Sequence, residues 1–391
     1  MAVTPVQPQP VLSPLTRYAI FLTLVLTPGR EQDVRDALGD ISGTVRAVGF
    51  RAQEGGLSCV TGLGAEFWDR AFTAPRPAGL HPFVPLDGPV HSAPSTPGDL
   101  FFHIRAQRMD LCFELALRLT QSLEGLARVV DEVHGFRYGE TRDLLGFVDG
   151  TENPAGVIAS QAALTGPEDR FPGSSIVIVQ RYDHDLAAWN ELSVEQQEAA
   201  FGRHKLSDIE FPDEDKAPDS HLALNVIEEP DGTERKILRD NMPFGSVGER
   251  TFGTYFIGYA ADVDTTEQML RNMFLGNGDV THDRILDFST ARTGALFFVP
   301  SQDALDDPDL LDAPLPDADG SGAARPVAGA PAQISDALTL QQPRPAAAPA
   351  AADADADDAD GDDAAQADPA ASGTAADSSL GIGGLRGRPQ H

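Results

Sequence analysis

Cysteine is scarce: two residues in 391, Cys59 and Cys112, each inside an apolar stretch, Leu57-Ser58-Cys59-Val60 and Leu111-Cys112-Phe113. Such placement fits reduced, buried thiols and a reducing compartment. A membrane-spanning run is missing as well. The segment from Tyr18 to Leu26 is too short to cross a bilayer, and only Arg17 stands before it as a charge. Neither a twin arginine nor a small-residue cleavage site accompanies it, so a buried strand is expected there and a cytoplasmic location follows. Cations are few: 29 Lys and Arg stand against 60 Asp and Glu, a net charge of −31. With no basic cluster to meet phosphates, neither nucleic acid nor a membrane surface is an expected partner.

What is present is enough for two domains and a tail, with 41% hydrophobic residues. Residues 1–16 hold several prolines and no periodicity and are expected to form an arm. From 17 to 145 the order is strand (Tyr18 to Thr27), helix (Glu31 to Val48), strand (Leu57 to Leu63), strand (Leu100 to Arg105), helix (Met109 to Leu123) and strand (Ala127 to Tyr138). That βαββαβ order predicts an α+β, ferredoxin-like domain with an antiparallel sheet and helices on one face. A similar series recurs over 146–311. Strands are expected at Ser175 to Arg181 and Gly294 to Val299, extended pieces at His221 to Ile227 and Thr254 to Tyr259, and helices at Ser193 to Phe201 and Thr265 to Phe274. No residue-level repeat accompanies this duplicated pattern. Past Leu311 the composition falls to Ala, Asp, Pro and Gly. Residues 313–391 carry 12 Asp, no Glu and 4 Arg, a net of −8, which leaves −23 on the rest of the chain. Residues 312–377 cannot bury a core and are expected to be a disordered, self-repelling linker; their aspartates lack the spacing of a calcium loop.

The chemistry-bearing stretch is Gly146-Phe147-Val148-Asp149-Gly150-Thr151-Glu152-Asn153-Pro154. Gly146 and Gly150 can take backbone angles that a β-carbon forbids, and Pro154 restricts Asn153, so Asp149 is held in a built turn. Taken alone, an Asp between glycines is also an ordinary turn residue. Two later segments keep it company: Ser220-His221-Leu222-Ala223-Leu224-Asn225-Val226 and Arg239-Asp240-Asn241-Met242-Pro243.

Together these three segments resemble the dye-decolorising peroxidases, haem enzymes marked by a G-x-x-D-G turn followed by a haem-ligating histidine and a distal arginine. The resemblance runs from about Tyr18 to Pro300 and is nearest to the bacterial B-type subgroup. It implies two ferredoxin-like domains with one haem b between them, hydrogen peroxide as oxidant, and dyes or phenols as small organic reductants. His221 falls at the position of the axial iron ligand. A carboxylate accepting its second ring proton would make it more electron-donating, with Asp283 the preferred partner and Asp287 in reserve. Asp149 would move the peroxide proton, Arg239 would stabilise developing negative charge, and Asn241 would position peroxide or water. Thr151 and Glu152 would line the haem and Arg203 would meet a propionate. A salt bridge to a carboxylate or a haem propionate is the alternative for Arg239, and a packed core histidine for His221. The acidic body would favour cationic or neutral donors. Trp68, Trp189, Tyr182 and Tyr255 are assigned to packing, and His184 and His204 to the surface. A homo-oligomer is expected.

After the linker, Ser378-Ser379-Leu380-Gly381-Ile382-Gly383-Gly384-Leu385-Arg386-Gly387 restores apolar residues. Leu380, Ile382 and Leu385, spaced by small residues, suit an extended peptide that sets aliphatic anchors into a groove. Residues 378–391 resemble the peptides that direct cargo enzymes into encapsulin shells, which implies an encapsulin shell protein as partner. The competing account of the chain is a haem-binding, haem-trafficking or haem iron-release protein, which needs His221 but neither Asp149 nor Arg239.

Overall fold

Strand Tyr18–Leu26 shows how the sheet is made. Ile20, Leu22 and Leu24 enter one apolar cluster while Ala19 and Phe21 enter another, so period-two alternation buries both faces. The same division separates Phe102 and Ile104 from Phe101, and Ile176 and Ile178 from Val177 and Val179. In this computed structural model residues 6–312 are described. The expected linker from residue 313 onward, and Leu380, Ile382 and Leu385, lie outside the described residues.

Across the main sheet the strands run Leu238–Arg239, Thr251–Ala260, Ser175–His184, Ala295–Val299, Ser58–Gly64, Leu100–Ala106, Tyr18–Leu26, Ala127–Phe136. All these pairings are antiparallel. Numbered within each half, both sets follow the order 2-3-1-4, the ferredoxin-like arrangement expected from the repeated series. The halves meet through a short seam, Phe297 opposite Gly64 and Phe298 opposite Leu63. A β-carbon on Gly62 would lie 2.7 Å from Cβ of Phe297, so glycine is what lets the strands close there.

Several local expectations are corrected. The helix read over Glu31 to Val48 is two, Glu31–Leu38 and Ile41–Gly49, separated by Gly39 and Asp40. His221 to Ile227, read as extended, begins as the helix His221–Asn225, because the Ser220 hydroxyl accepts the Ala223 N–H and caps it. The arm is not loose over its described part. Gln9 is buried, its amide donating to the carbonyls of Thr61 and Pro300 and accepting from Thr61 N–H at 2.7 Å. It thereby satisfies backbone groups beside the seam, where the ladder is short. At the other end Asp312, placed in the linker by composition, accepts from Thr73 and Ala74 N–H and pairs with Arg35, so it belongs to the folded body. Both cysteines are free and buried, and burial pushes each thiol up to about 12.

Candidate functional site

The glycine turn is fixed from both ends. The Asp143 carboxylate accepts the Phe147 N–H and its carbonyl accepts the Gly146 N–H, while Asp149 N–H donates to the Thr141 carbonyl at 2.8 Å. Gly146 and Gly150 take φ of +95° and +87°, the left-handed angles their spacing called for. Phe147 between them is buried and stacks on Phe201 at 3.8 Å, so the turn is pinned by a core aromatic.

That turn opens onto a cavity of about 1070 Å³ of empty space, its mouth included. Asp149, Thr151, Glu152, Arg203, His221, Arg239 and Asn241 all line it, although they are scattered over ninety residues of sequence; Asp283 stands behind His221. The lining runs from Asp143 to Ser289. It comes from the second half and the stretch leading into it, so the cavity lies within that half and not between two equal walls.

On one part of the wall, His221 opens its short helix and directs Nδ1 to Asp283 Oδ2 at 2.7 Å. Asp283 is fully buried and its other oxygen accepts the Ile285 N–H at 3.0 Å, so the carboxylate is held in place. Asn225, one turn after His221, donates to the His221 carbonyl at 2.7 Å and reaches Asp283 at 3.3 Å. An imidazole whose Nδ1–H serves a carboxylate keeps the lone pair of Nε2 for a ligand. Asp287, the reserve partner, is elsewhere: it accepts from His91 and His282.

Elsewhere in the cavity, Arg239 lies on a two-residue strand opposite Gly258. The Asn153 amide clasps its backbone in both directions, donating to the Arg239 carbonyl at 2.6 Å and accepting its N–H at 2.9 Å. The Thr-Glu-Asn-Pro stretch thus joins the glycine turn to the arginine. Among the described residues no carboxylate forms an ion pair with Arg239, and its Nε is buried without a partner, so a salt bridge to a protein carboxylate finds no support. Asn241 accepts the Ile257 N–H and donates to Asp149 Oδ1 at 3.3 Å. Asp240 between them turns away, buried and paired with Arg105 of the first half.

Burial raises the Asp149 carboxyl above its usual value; nearby Arg239 and the Asn241 hydrogen bond oppose this only in part. Arg203 is buried and carries Glu152 at 2.8 Å and Asp208 at 3.0 Å, with its Nε unpartnered. Thr151 donates to Asp208 at 2.8 Å. His204 is exposed, as expected. His184 is not a surface residue: it lines the cavity with its nitrogens bonded to Ser289 and Thr254, and burial lowers it to about 4. Asn153, Asn225, Asp240 and His184 were thus missed as site-building residues. Asn225 alone left a signal, its spacing of four from His221 on a helix.

A ferredoxin-like pair whose second half holds a histidine–carboxylate couple and an Asp–Arg–Asn set on one cavity defines a class, and the family patterns agree. The one described as "Dyp-type peroxidase, N-terminal" matches residues 8–137 and "Dyp-type peroxidase, C-terminal" matches 140–304. The chain belongs to the Dyp-type peroxidase family. It is 60% identical over 384 residues to a dye-decolorizing peroxidase of Brevibacterium linens, covering 98% of this chain and 97% of the relative. A dye-decolorizing peroxidase of Mycobacterium tuberculosis is 59% identical over 319 residues, 81% of this chain and 94% of that one. Among solved structures, the encapsulated DyP-type peroxidase from Mycobacterium smegmatis superposes with a TM-score of 0.76 at 56% identity, covering 79% of this chain and 99% of that chain. A variant of DypB from Rhodococcus jostii in complex with heme gives 0.75 at 57%, covering 77% and 98%.

Proposed function

We propose that this chain is a B-type haem b peroxidase that reduces hydrogen peroxide and takes electrons singly from dyes, phenols or similar donors. The observation that carries it is the single cavity bringing the His221–Asp283 couple together with Asp149, Arg239 and Asn241. The cavity suits haem on its own terms. Much of its wall is apolar, including Leu222, Ile237, Phe256, Met269 and Leu286. It offers one imidazole backed by a carboxylate and two buried guanidinium Nε atoms without protein partners. His221 would hold the iron, Arg203 would neutralise a propionate, and Thr151 and Glu152 would border the ring. Bound there, haem supplies an iron that exchanges electrons one at a time with peroxide and donor.

The protein's own work is protonic and electrostatic. Peroxide must lose a proton from one oxygen and regain it on the other so that water departs. Asp149, once ionised, accepts the first and returns it to the second. Arg239 sets a fixed cation where negative charge grows, and Asn241, anchored through Ile257, orients the same oxygens. Asp283 keeps the Nδ1 proton on His221 throughout. Two donor electrons and two protons complete the reduction of peroxide to two waters.

The proposal extends to packaging in the cytoplasm inside an encapsulin shell. Its support is the Leu380, Ile382 and Leu385 pattern, the encapsulated relative, and the Brevibacterium linens alignment, whose length carries it well past residue 312. No described helix is long and apolar enough to cross a membrane.

Stopped-flow absorbance of the haem-loaded protein, beside Arg239→Leu, tests the chemistry. A fast peroxide-dependent Soret shift, reversed by a phenol and slowed by about two orders of magnitude or more in the variant, is expected. A Soret band that peroxide only bleaches slowly would favour the haem-trafficking account instead.

A further inference from the structure

His91, His282 and Asp287 approach one another away from the cavity, and the proposed peroxidase chemistry uses none of them. We infer that they form a binding site for a divalent transition-metal ion of the zinc and copper class. The three residues come from separate segments: the turn between the short strands Leu86–Asp87 and Ser92–Ala93, the loop after the helix Val263–Leu275, and the end of the 3-10 turn Arg284–Asp287. They nonetheless converge on one point. Nε2 of His91 and Nε2 of His282 each lie 3.0 Å from the same oxygen, Oδ1 of Asp287. All three ligand atoms fall within 4.8 Å of one another.

Bond lengths of about 2.0–2.2 Å to imidazole nitrogen and carboxylate oxygen separate neighbouring ligands of a tetrahedral ion by about 3.3–3.6 Å. The two N···O separations are already close to that, so small ring rotations would admit an ion in place of the shared proton contacts. A surrounding group fixes one ring: Nδ1 of His282 meets Thr281 Oγ1 at 3.0 Å, and with the proton on Nδ1 the lone pair of Nε2 is left for an ion. The His91 ring packs edge-on to that of His282 at 4.8 Å, which limits its swing. Asp287 is 43% exposed on its side chain and the two histidines about half as much, so solvent can complete the coordination sphere. Two imidazoles and one carboxylate favour Zn²⁺ or Cu²⁺ over Mg²⁺ or Ca²⁺, which prefer all-oxygen shells. The acidic chain draws cations toward it.

The test is isothermal titration of Zn²⁺ into haem-loaded, full-length protein, so that His221 is already engaged. It is run beside His91→Gln, His282→Gln and Thr281→Val, with Mg²⁺ as the control ion. One equivalent of Zn²⁺ and a metal-dependent rise in melting temperature are expected for the unchanged chain. Either histidine variant should weaken binding at least about tenfold, and Thr281→Val should weaken it less while keeping all three ligands. Cu²⁺ should give an electron paramagnetic resonance signal with nitrogen hyperfine structure that either histidine variant alters. Soret absorbance and the metal-free melting temperature verify that each variant folds; if one does not, the other two carry the comparison. No binding at millimolar Zn²⁺, or equal affinity in all four proteins, overturns the site.

Discussion

Asp149 and Arg239 are separated by ninety residues, yet the Arg239 charge acts on the Asp149 carboxyl. Burial holds the Asp149 carboxyl above the 3.8 of a free aspartate, and Arg239 limits how far. A base must be ionised to accept a proton, so peroxide reduction should fall as pH drops through this raised value. In Asp149→Asn that acid limb should vanish from the pH dependence of the peroxide step, while the Soret band stays. A limb left in place would assign it to another group. Asp143 carries a second titration, raised by burial to about 7. The folded protein then holds a proton that the unfolded chain has released, so stability falls as pH rises from about 4 to about 7 and levels above that. In haem-free protein, the melting temperature of Asp143→Asn relative to the unchanged chain should climb across that window and then stay constant. At this scale the sequence pointed to one cavity where a residue type and an ordered motif coincide, as at His221, Arg239 and Asn241, all on its lining. It was silent where a side chain serves a backbone. The Asn153 clasp on Arg239 and the Asp283 cap on Ile285 depend on partners far along the chain, and no local pattern announces them.

Elements were legible where periodicity is long and both flanks are marked. Thus the strands Tyr18–Leu26, Leu100–Ala106 and Ala295–Val299 and the helix Met109–Ser122 stand within a residue or two of their expected limits. His221–Asn225 was misread because five residues are too few to separate a helical period from alternation, and its Ser220 cap decided the outcome. The strand Met242–Ser246 escaped because Pro243 argues against a strand interior; among the described residues it pairs with Thr251–Ala260 alone, an edge position where proline is tolerated. Between these elements lies the residue that anchors the distal loop. Asp240, flanked by Arg239 and Asn241, is paired with Arg105 on the central strand of the other half, and both are almost fully buried. His103 stands 3.7 Å away but is kept neutral by burial and by the Arg105 charge, so it does not share the load. Arg105→Met should therefore strand a buried carboxylate and cost about 3–5 kcal/mol of stability. It should also slow the peroxide step, because Asp240 sets the backbone from which Arg239 and Asn241 project. Thermal melts and stopped-flow traces on one preparation would check both. A variant as stable as the parent would mean that water or rearrangement satisfies Asp240.

At the scale of the whole molecule, the pairing of one half's strand with the other's was not readable, since a seam of two residue pairs leaves no periodic trace. The composition suits the proposed division of labour along the chain. A folded body continues to Asp312, which its contacts with Arg35, Thr73 and Ala74 tie down, and an Ala- and Asp-rich stretch then separates it from Leu380, Ile382 and Leu385. If the 65 residues from 313 to 377 were a flexible coil, its r.m.s. span would be about 45 Å, against a radius of gyration of about 19 Å for a body of some 300 residues. A peptide at the end of such a spacer could seat in a shell groove while the enzyme stands clear of the wall. Binding would then rest on the three aliphatic anchors, and the peroxide chemistry would be independent of it. Removing residues 378–391 should abolish co-purification with a co-expressed encapsulin shell protein and leave turnover of peroxide and dye unchanged. Attaching the same fourteen residues to an unrelated soluble protein should cause that protein to be loaded. Continued packaging of the truncated enzyme would place the recognition surface on the folded body, where its acidic face and not the aliphatic anchors would have to meet the shell.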